Sequence, residues 1–223
     1  NTVAVYTAPD RPDATDATYV DVTYFVANWN SSAGASGYRL DVSASEDFST
    51  YLSGYQNLDV NNSNSYAVYG SSGTKYYYRV RAYNSMATST SSDTISVITL
   101  PSAVQVTSAS SCNNNVRLVW SADNSMQDFV KYIIYADTYP YPTTQVDETT
   151  SGYRTETTKE LTGLTPGATY YFRVTAVIYP YVESPFGNQM STKVKMGYIP
   201  DVIVKWGDVL ICSNSDDSIQ SGS

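Results

Sequence analysis

The sequence predicts an all-β chain folded as two tandem β-sandwiches, followed by a short C-terminal β tail. Three observations predict it. Short runs that alternate Val, Ile, Tyr or Thr with polar residues recur along the chain, separated by Ser, Asn and Gly clusters. No i, i+3, i+4, i+7 apolar pattern persists beyond two turns, so helix is almost absent. One strand signature also occurs twice, its two Trp residues 91 positions apart, as expected of a duplicated module.

The elements follow in order. Phe25-Val26-Ala27-Asn28-Trp29 puts Phe25, Ala27 and Trp29 on one face of a strand. Val116-Arg117-Leu118-Val119-Trp120 repeats this with Val116, Leu118 and Trp120. After each Trp comes a further alternating strand, carrying Tyr38, Leu40 and Val42 in the first copy and Tyr132 and Ile134 in the second. Next come Gly73-Thr74-Lys75-Tyr76-Tyr77-Tyr78-Arg79-Val80-Arg81-Ala82 and Gly167-Ala168-Thr169-Tyr170-Tyr171-Phe172-Arg173-Val174-Thr175-Ala176. From Trp to the first Tyr of that strand is 47 residues in one copy and 50 in the other. Alternation places Trp29, Tyr38, Leu40, Val42, Tyr78, Val80 and Ala82 between two sheets. The second core holds Trp120, Tyr132, Ile134, Leu161, Phe172, Val174 and Ala176.

A Trp on the second strand, followed by a Tyr-x-aromatic-Arg-Val-x-Ala strand reached through a Gly turn, resembles the fibronectin type III fold, an Ig-like sandwich. The strongest single match is Leu161-Thr162-Gly163-Leu164-Thr165-Pro166-Gly167-Ala168-Thr169-Tyr170. The resemblance spans about residues 9–196. It implies that Tyr76 and Tyr170 are corner tyrosines whose hydroxyls bond backbone in the preceding turn. The first copy departs from the pattern, because Gly70-Ser71-Ser72-Gly73 is one residue shorter and lacks the Leu and Pro. The boundary falls at Thr99-Leu100-Pro101-Ser102, where Pro101 stiffens a short linker. The expected units are residues 1–99, residues 100–197 and a tail over 198–223.

In that tail, Asp201-Val202-Ile203-Val204-Lys205-Trp206-Gly207-Asp208-Val209-Leu210-Ile211-Cys212-Ser213-Asn214 has two strand-like runs around a Gly-Asp turn. It resembles the opening of a small Ig-like module that follows such domains in secreted Bacteroidetes proteins, ahead of a type IX secretion sorting domain. The tail reads as a truncated third unit. It is either disordered from about Ser213 onward or pairs its exposed edge with another strand, including self-association through residues 198–223. Cys112 falls in the first turn of the second module, at the pole where the resemblance puts the departing chain. A Cys112–Cys212 disulfide is one expectation; pairing of Cys212 with a Cys of a further module is the other. Both imply an oxidising compartment and a secreted or cell-surface location.

Composition narrows the function classes. The chain has 223 residues, 42% of them apolar, and a net charge of −8 with only 13 Lys and Arg. Such a surface repels phosphate backbones and anionic membranes, so no nucleic-acid partner and no membrane insertion are expected. The absence of His removes Ser-His-Asp and Cys-His catalysis and the commonest metal ligand. Two Cys are too few for a Cys-only zinc site, and no Gly-rich phosphate loop occurs. The carboxylates Asp10, Asp13, Asp16, Glu46, Asp47, Asp147, Glu148, Asp216 and Asp217 cluster in turns, as solvated turn residues do. No enzyme, cofactor or metal is expected.

Tyrosine, at 22 residues, is the one marked surplus. Tyr139-Pro140-Tyr141 follows the third strand of the second module, and Tyr179-Pro180-Tyr181 follows the sixth. The inferred topology puts these loops at opposite poles, against one shared sugar-stacking platform. Interface packing is the first reading, with Tyr179 and Tyr181 at the interdomain junction; carbohydrate or protein binding is the second. The Arg-Gly-Asp of some relatives is absent. Asp93-Thr94-Ile95 and Asp217-Ser218-Ile219 look like Bacteroidetes O-glycosylation sites, at Thr94 and Ser218. Three functions remain, in this order: a structural or adhesive spacer of a secreted or cell-surface bacterial protein, an accessory carbohydrate-binding module of a secreted hydrolase, and a fibre subunit using its tail for strand addition. The partner is an unidentified protein or polysaccharide at the cell surface.

Overall fold

The computed structural model describes residues 7–121, 126 and 128–197. The chain divides into two compact units. The first runs to Ala103 and the second opens at Val104, with residues 128–131 and 175–185 counting with the first. Seven strands come first: β1 (Ala14–Thr18), β2 (Tyr24–Trp29), β3 (Gly37–Ser43), β4 (Leu58–Asp59), β5 (Ser65–Tyr69), β6 (Lys75–Tyr83) and β7 (Ile95–Ile98). Eight follow: β8 (Val106–Cys112), β9 (Asn115–Trp120), β10 (Phe129–Asp137), β11 (Gln145–Glu148), β12 (Thr158–Leu161), β13 (Thr169–Ile178), β14 (Val182–Glu183) and β15 (Met190–Lys193).

The same sandwich is drawn twice. One sheet orders β1-β2-β5 and the other β4-β3-β6-β7; in the second copy they are β12-β9-β8 and β11-β10-β13-β14, with β15 also pairing β13. Alternation decides what faces inward. On β2 and β6, buried and half-buried residues alternate over nearly the whole strand. The inward set (Phe25, Ala27, Trp29, Tyr38, Leu40, Val42, Tyr78, Val80, Ala82) forms one apolar cluster. Trp120, Tyr132, Ile134, Leu161, Phe172, Val174 and Ala176 are buried in the second.

Alternation fails on β10, where Tyr132–Ala136 are all buried. Part of the reason is Phe186, whose ring meets Tyr135 edge-on at 5.0 Å on the outer side of that sheet. The last strand of the second module is also broken, into β14 and β15. Between them Gly187 passes so close to Val104 that a Cβ would lie 1.9 Å from its carbonyl oxygen. That approach lets the Asn188 side chain take the Val106 N–H at 2.7 Å and donate to the Val106 carbonyl at 2.9 Å. One side chain thereby serves as a short piece of β ladder.

The corner tyrosines differ between copies. The Tyr76 hydroxyl accepts from Ser71 N–H at 2.8 Å, and Tyr76 is buried. Gly70 is what admits it, since a Cβ there would stand 2.6 Å from the ring. Tyr170 is half-buried and accepts from Thr165 N–H at 3.4 Å. The shorter first corner, lacking the Leu and Pro, is thus the tighter one.

Tyr78 ties the two sheets of the first module together. Its hydroxyl donates to the Thr15 carbonyl and accepts from Asn28 N–H at 3.5 Å. Burial pushes the phenol up from 10.0 to about 12, with Asp16 adding to the rise. The neutral form is the one the fold favours. Its contribution, at most about 2–3 kcal/mol, is complete below the unfolded value and lost as pH rises through about 12. Tyr78→Phe is expected to reduce the alkaline loss of stability of the first unit between about pH 10 and 12, read as the difference in denaturant midpoint. Equal alkaline losses in the two proteins would contradict this role.

Candidate functional site

Tyr139, Tyr141, Tyr179 and Tyr181 are 76%, 70%, 65% and 73% exposed. Tyr141 and Tyr181 adopt left-handed conformations (φ 59° and 78°), uncommon for a residue with a bulky side chain. Tyr179–Tyr181 forms the turn between β13 and β14, with Tyr181 N–H bonding the Ile178 carbonyl at 2.7 Å. Tyr141 is anchored elsewhere, its N–H donating to Gln189 Oε1 at 2.7 Å just before β15.

The outer faces of the β3/β6 and β10/β13 sheets carry a feature that strand-by-strand reading missed. On the first module Asp41 lies opposite Arg79 in the β3–β6 register. Its buried carboxylate accepts from Arg79 Nε at 3.2 Å and from Arg81 Nη2 at 3.0 Å. Its second oxygen takes Asn57 N–H at 2.7 Å, pinning the loop before β4. The Arg79 guanidinium also lies over Phe48 at 4.0 Å. Arg39, Asp59 and Tyr83 form a smaller network beside it. There the Tyr83 hydroxyl, donating to Asp59 at 3.0 Å, is held up by the carboxylate, and Asp59 is held down first by Asn61 N–H.

Arg173 occupies the Arg79 place in the repeated strand motif, and Tyr135 occupies the Asp41 place, counting from Tyr38 and Tyr132. The arginine again lies on a phenylalanine, 3.6 Å from the Phe186 ring centre. No carboxylate partner for it is present among the described residues, and its Nε is buried with no hydrogen-bond acceptor. Burial lowers the Arg173 guanidinium from its usual range, and Tyr141 is near enough to act on its charge in the opposite sense.

The remaining sequence candidates separate cleanly. Trp29 and Trp120 are core residues, packed against Tyr38 and Tyr132 at ring distances of 5.8 and 5.4 Å. Thr94 is exposed just before β7; Ser218 lies outside the described residues. Cys112 closes β8 at a two-residue turn through Asn113 and Asn114, both with positive φ. The chain leaving β15 runs beside this turn: Asn114 N–H bonds the Lys195 carbonyl at 3.0 Å and Gly197 N–H bonds Asn114 Oδ1 at 2.8 Å. Cys112 is disulfide-bonded; Cys212, the partner the sequence offers, lies outside the described residues, as does the whole 198–223 tail. Among the described residues no group of three or more Cys, Asp or Glu is placed to hold a metal ion. Among the described residues no helix is long and apolar enough to cross a membrane.

Residues 100–192 match the family model described as fibronectin type III domain. No curated protein matches the chain. Among solved structures, a two-domain fibronectin type III segment from chicken tenascin is similar at 17% identity and a TM-score of 0.49, covering 84% of this chain and 100% of that one. The FN1–FN3 domains of chicken CNTN1 are similar at 14% identity and a TM-score of 0.37, covering 86% and 68%.

Proposed function

We propose that the chain is a non-catalytic structural and adhesive spacer of a secreted or cell-surface bacterial protein. Fibronectin type III domains are commonly spacer and adhesion modules, and they are common in extracellular and surface proteins. The observation that carries the reading is how the buried polar side chains are used. Ser92, Thr149 and Ser184 hydroxyls accept from Val80, Tyr132 and Ala176 N–H groups at 3.0, 2.9 and 3.1 Å. The Ser43 hydroxyl donates to the Thr50 carbonyl at 2.5 Å, the Thr99 hydroxyl donates to the distant Ser71 carbonyl at 2.7 Å, and Thr175 donates to Glu183 at 2.6 Å. Asp41 is held by two arginines. Each of these groups completes a strand edge, a turn or a cross-strand contact, which is polar chemistry invested in rigidity.

Stretching single molecules tethered at both ends tests this reading. A spacer of two sandwiches gives two separate unfolding events, each releasing chain of about one module, and refolds between pulls. Hydrolysis of a polysaccharide or peptide by the purified chain, above the rate of a heat-unfolded sample, would overturn it. A second reading, an accessory module that touches polysaccharide, is favoured by the exposed rings of Tyr139 and Tyr141. Replacing both with Ala should then abolish retention on an insoluble polysaccharide.

A further inference from the structure

The two copies of the module solve the same problem differently. Each places an arginine at the same point of its long sixth strand and lays the guanidinium on a phenylalanine ring, at 4.0 Å for Arg79 and 3.6 Å for Arg173. In the first copy a buried carboxylate completes the arrangement, with Asp41 at 3.2 Å from Arg79. In the second, Tyr135 stands where that aspartate would be, and among the described residues nothing replaces the negative charge. A guanidinium with one face stacked on a ring and unused donors presents a planar fork matched to a carboxylate. The mismatch is pronounced because the chain as a whole is acidic, with 21 Asp and Glu against 13 Lys and Arg.

The surroundings narrow the ligand. The neighbours of Arg173 are aromatic: Phe186 beneath it, Tyr135 edge-on to Phe186, and Tyr141 close enough to act on its charge. Tyr141 is 70% exposed, and its backbone N–H is bonded to Gln189 Oε1 at 2.7 Å. An exposed, amphipathic ring beside an unpaired arginine suits a ligand with one carboxylate on a flat, partly apolar ring.

We propose that this face of the second module binds a carboxylate-bearing sugar, a hexuronate unit of a glycan, with its carboxylate on Arg173 and its ring against Tyr141. The proposal rests on the carbohydrate-touching reading above and gives it a sugar class and a site. A glycan with sparse uronates fits better than a dense polyanion, because the net charge of −8 repels the latter.

Calorimetric titration with galacturonate and glucuronate oligosaccharides, matched neutral oligosaccharides and a Glu-containing peptide tests it, using the full chain. The expected result is uronate binding that weakens with added salt. Arg173→Gln should weaken it by about tenfold or more, and Tyr141→Ala should weaken it without changing thermal stability. Tyr135→Asp is the sharper variant. It keeps the arginine but supplies the carboxylate that the first module has, so uronate binding should be lost while the protein stays folded by circular dichroism. Equal binding of neutral sugars would overturn the uronate assignment and leave the carbohydrate reading standing. Binding of the peptide alone, or of no ligand at all, would overturn both. Uronate binding that survives Arg173→Gln would remove the site.

Discussion

Trp120→Ala is expected to destabilise the second unit by about 3–5 kcal/mol, the usual cost of emptying a buried Trp site. Trp120 is 2% exposed and packs edge-on against Tyr132 at 5.4 Å. Unit stabilities of about 5–15 kcal/mol make that a large fraction, and the melting temperature should fall by about 15 °C or more. The indole N–H adds a qualification with its own signature. Nε1 of Trp120 is buried with no acceptor among the described residues, and the same holds for Trp29. An unsatisfied buried donor costs free energy, so Trp120→Phe, which removes it and keeps most of the apolar bulk, should cost less than half as much as Trp120→Ala. Denaturant melts of the three proteins measure this. An Ala variant within about 1 kcal/mol of wild type would mean that the Trp does not organise this core.

Asp41→Ala is expected to cost the first unit about 3 kcal/mol, the low end for removing one partner of a buried ion pair. The carboxylate is 2% exposed, whereas Arg79 and Arg81 are 29% and 28% exposed and can recover some hydration when left behind. The loss has a second component, because Asn57 N–H loses its acceptor and the loop before β4 is released. Asp41→Asn separates the two. Its amide oxygen can still receive Asn57 N–H but cannot neutralise the arginines, so it should fall between Asp41→Ala and wild type. Urea midpoints together with limited proteolysis at residues 52–57 check both components. Full stability with unchanged proteolysis would show that the clasp is dispensable.

Much of this fold is legible in the residues because it is written locally. The face that Phe25, Ala27 and Trp29 share follows from a period of two, and all three are buried. The same rule misreads β10, because a residue distant in sequence, Phe186, lies over the outer side at Tyr135. The Asp41 clasp was illegible for a related reason. It depends on the pairing of Asp41 with Arg79 across 38 residues of chain, and cross-strand register is set by the closed sheet, not by either strand alone. Serines that stand in for backbone partners, such as Ser184 against Ala176, hide in the same way among ordinary loop residues. Composition did point to tyrosine, yet it could not say that Tyr141 would be held beside an arginine lacking a carboxylate.

The measurement that bears most directly on the account is amide hydrogen exchange, read strand by strand, in the Trp29→Ala chain. Two self-sufficient cores predict rapid exchange throughout β2, β3 and β6, with β9, residues 132–137 of β10 and residues 169–174 of β13 as slow as in the unmodified protein. Simultaneous loss of protection in both sets of strands would contradict it, and the scaffold reading built on paired, separately closed sandwiches would fall with it.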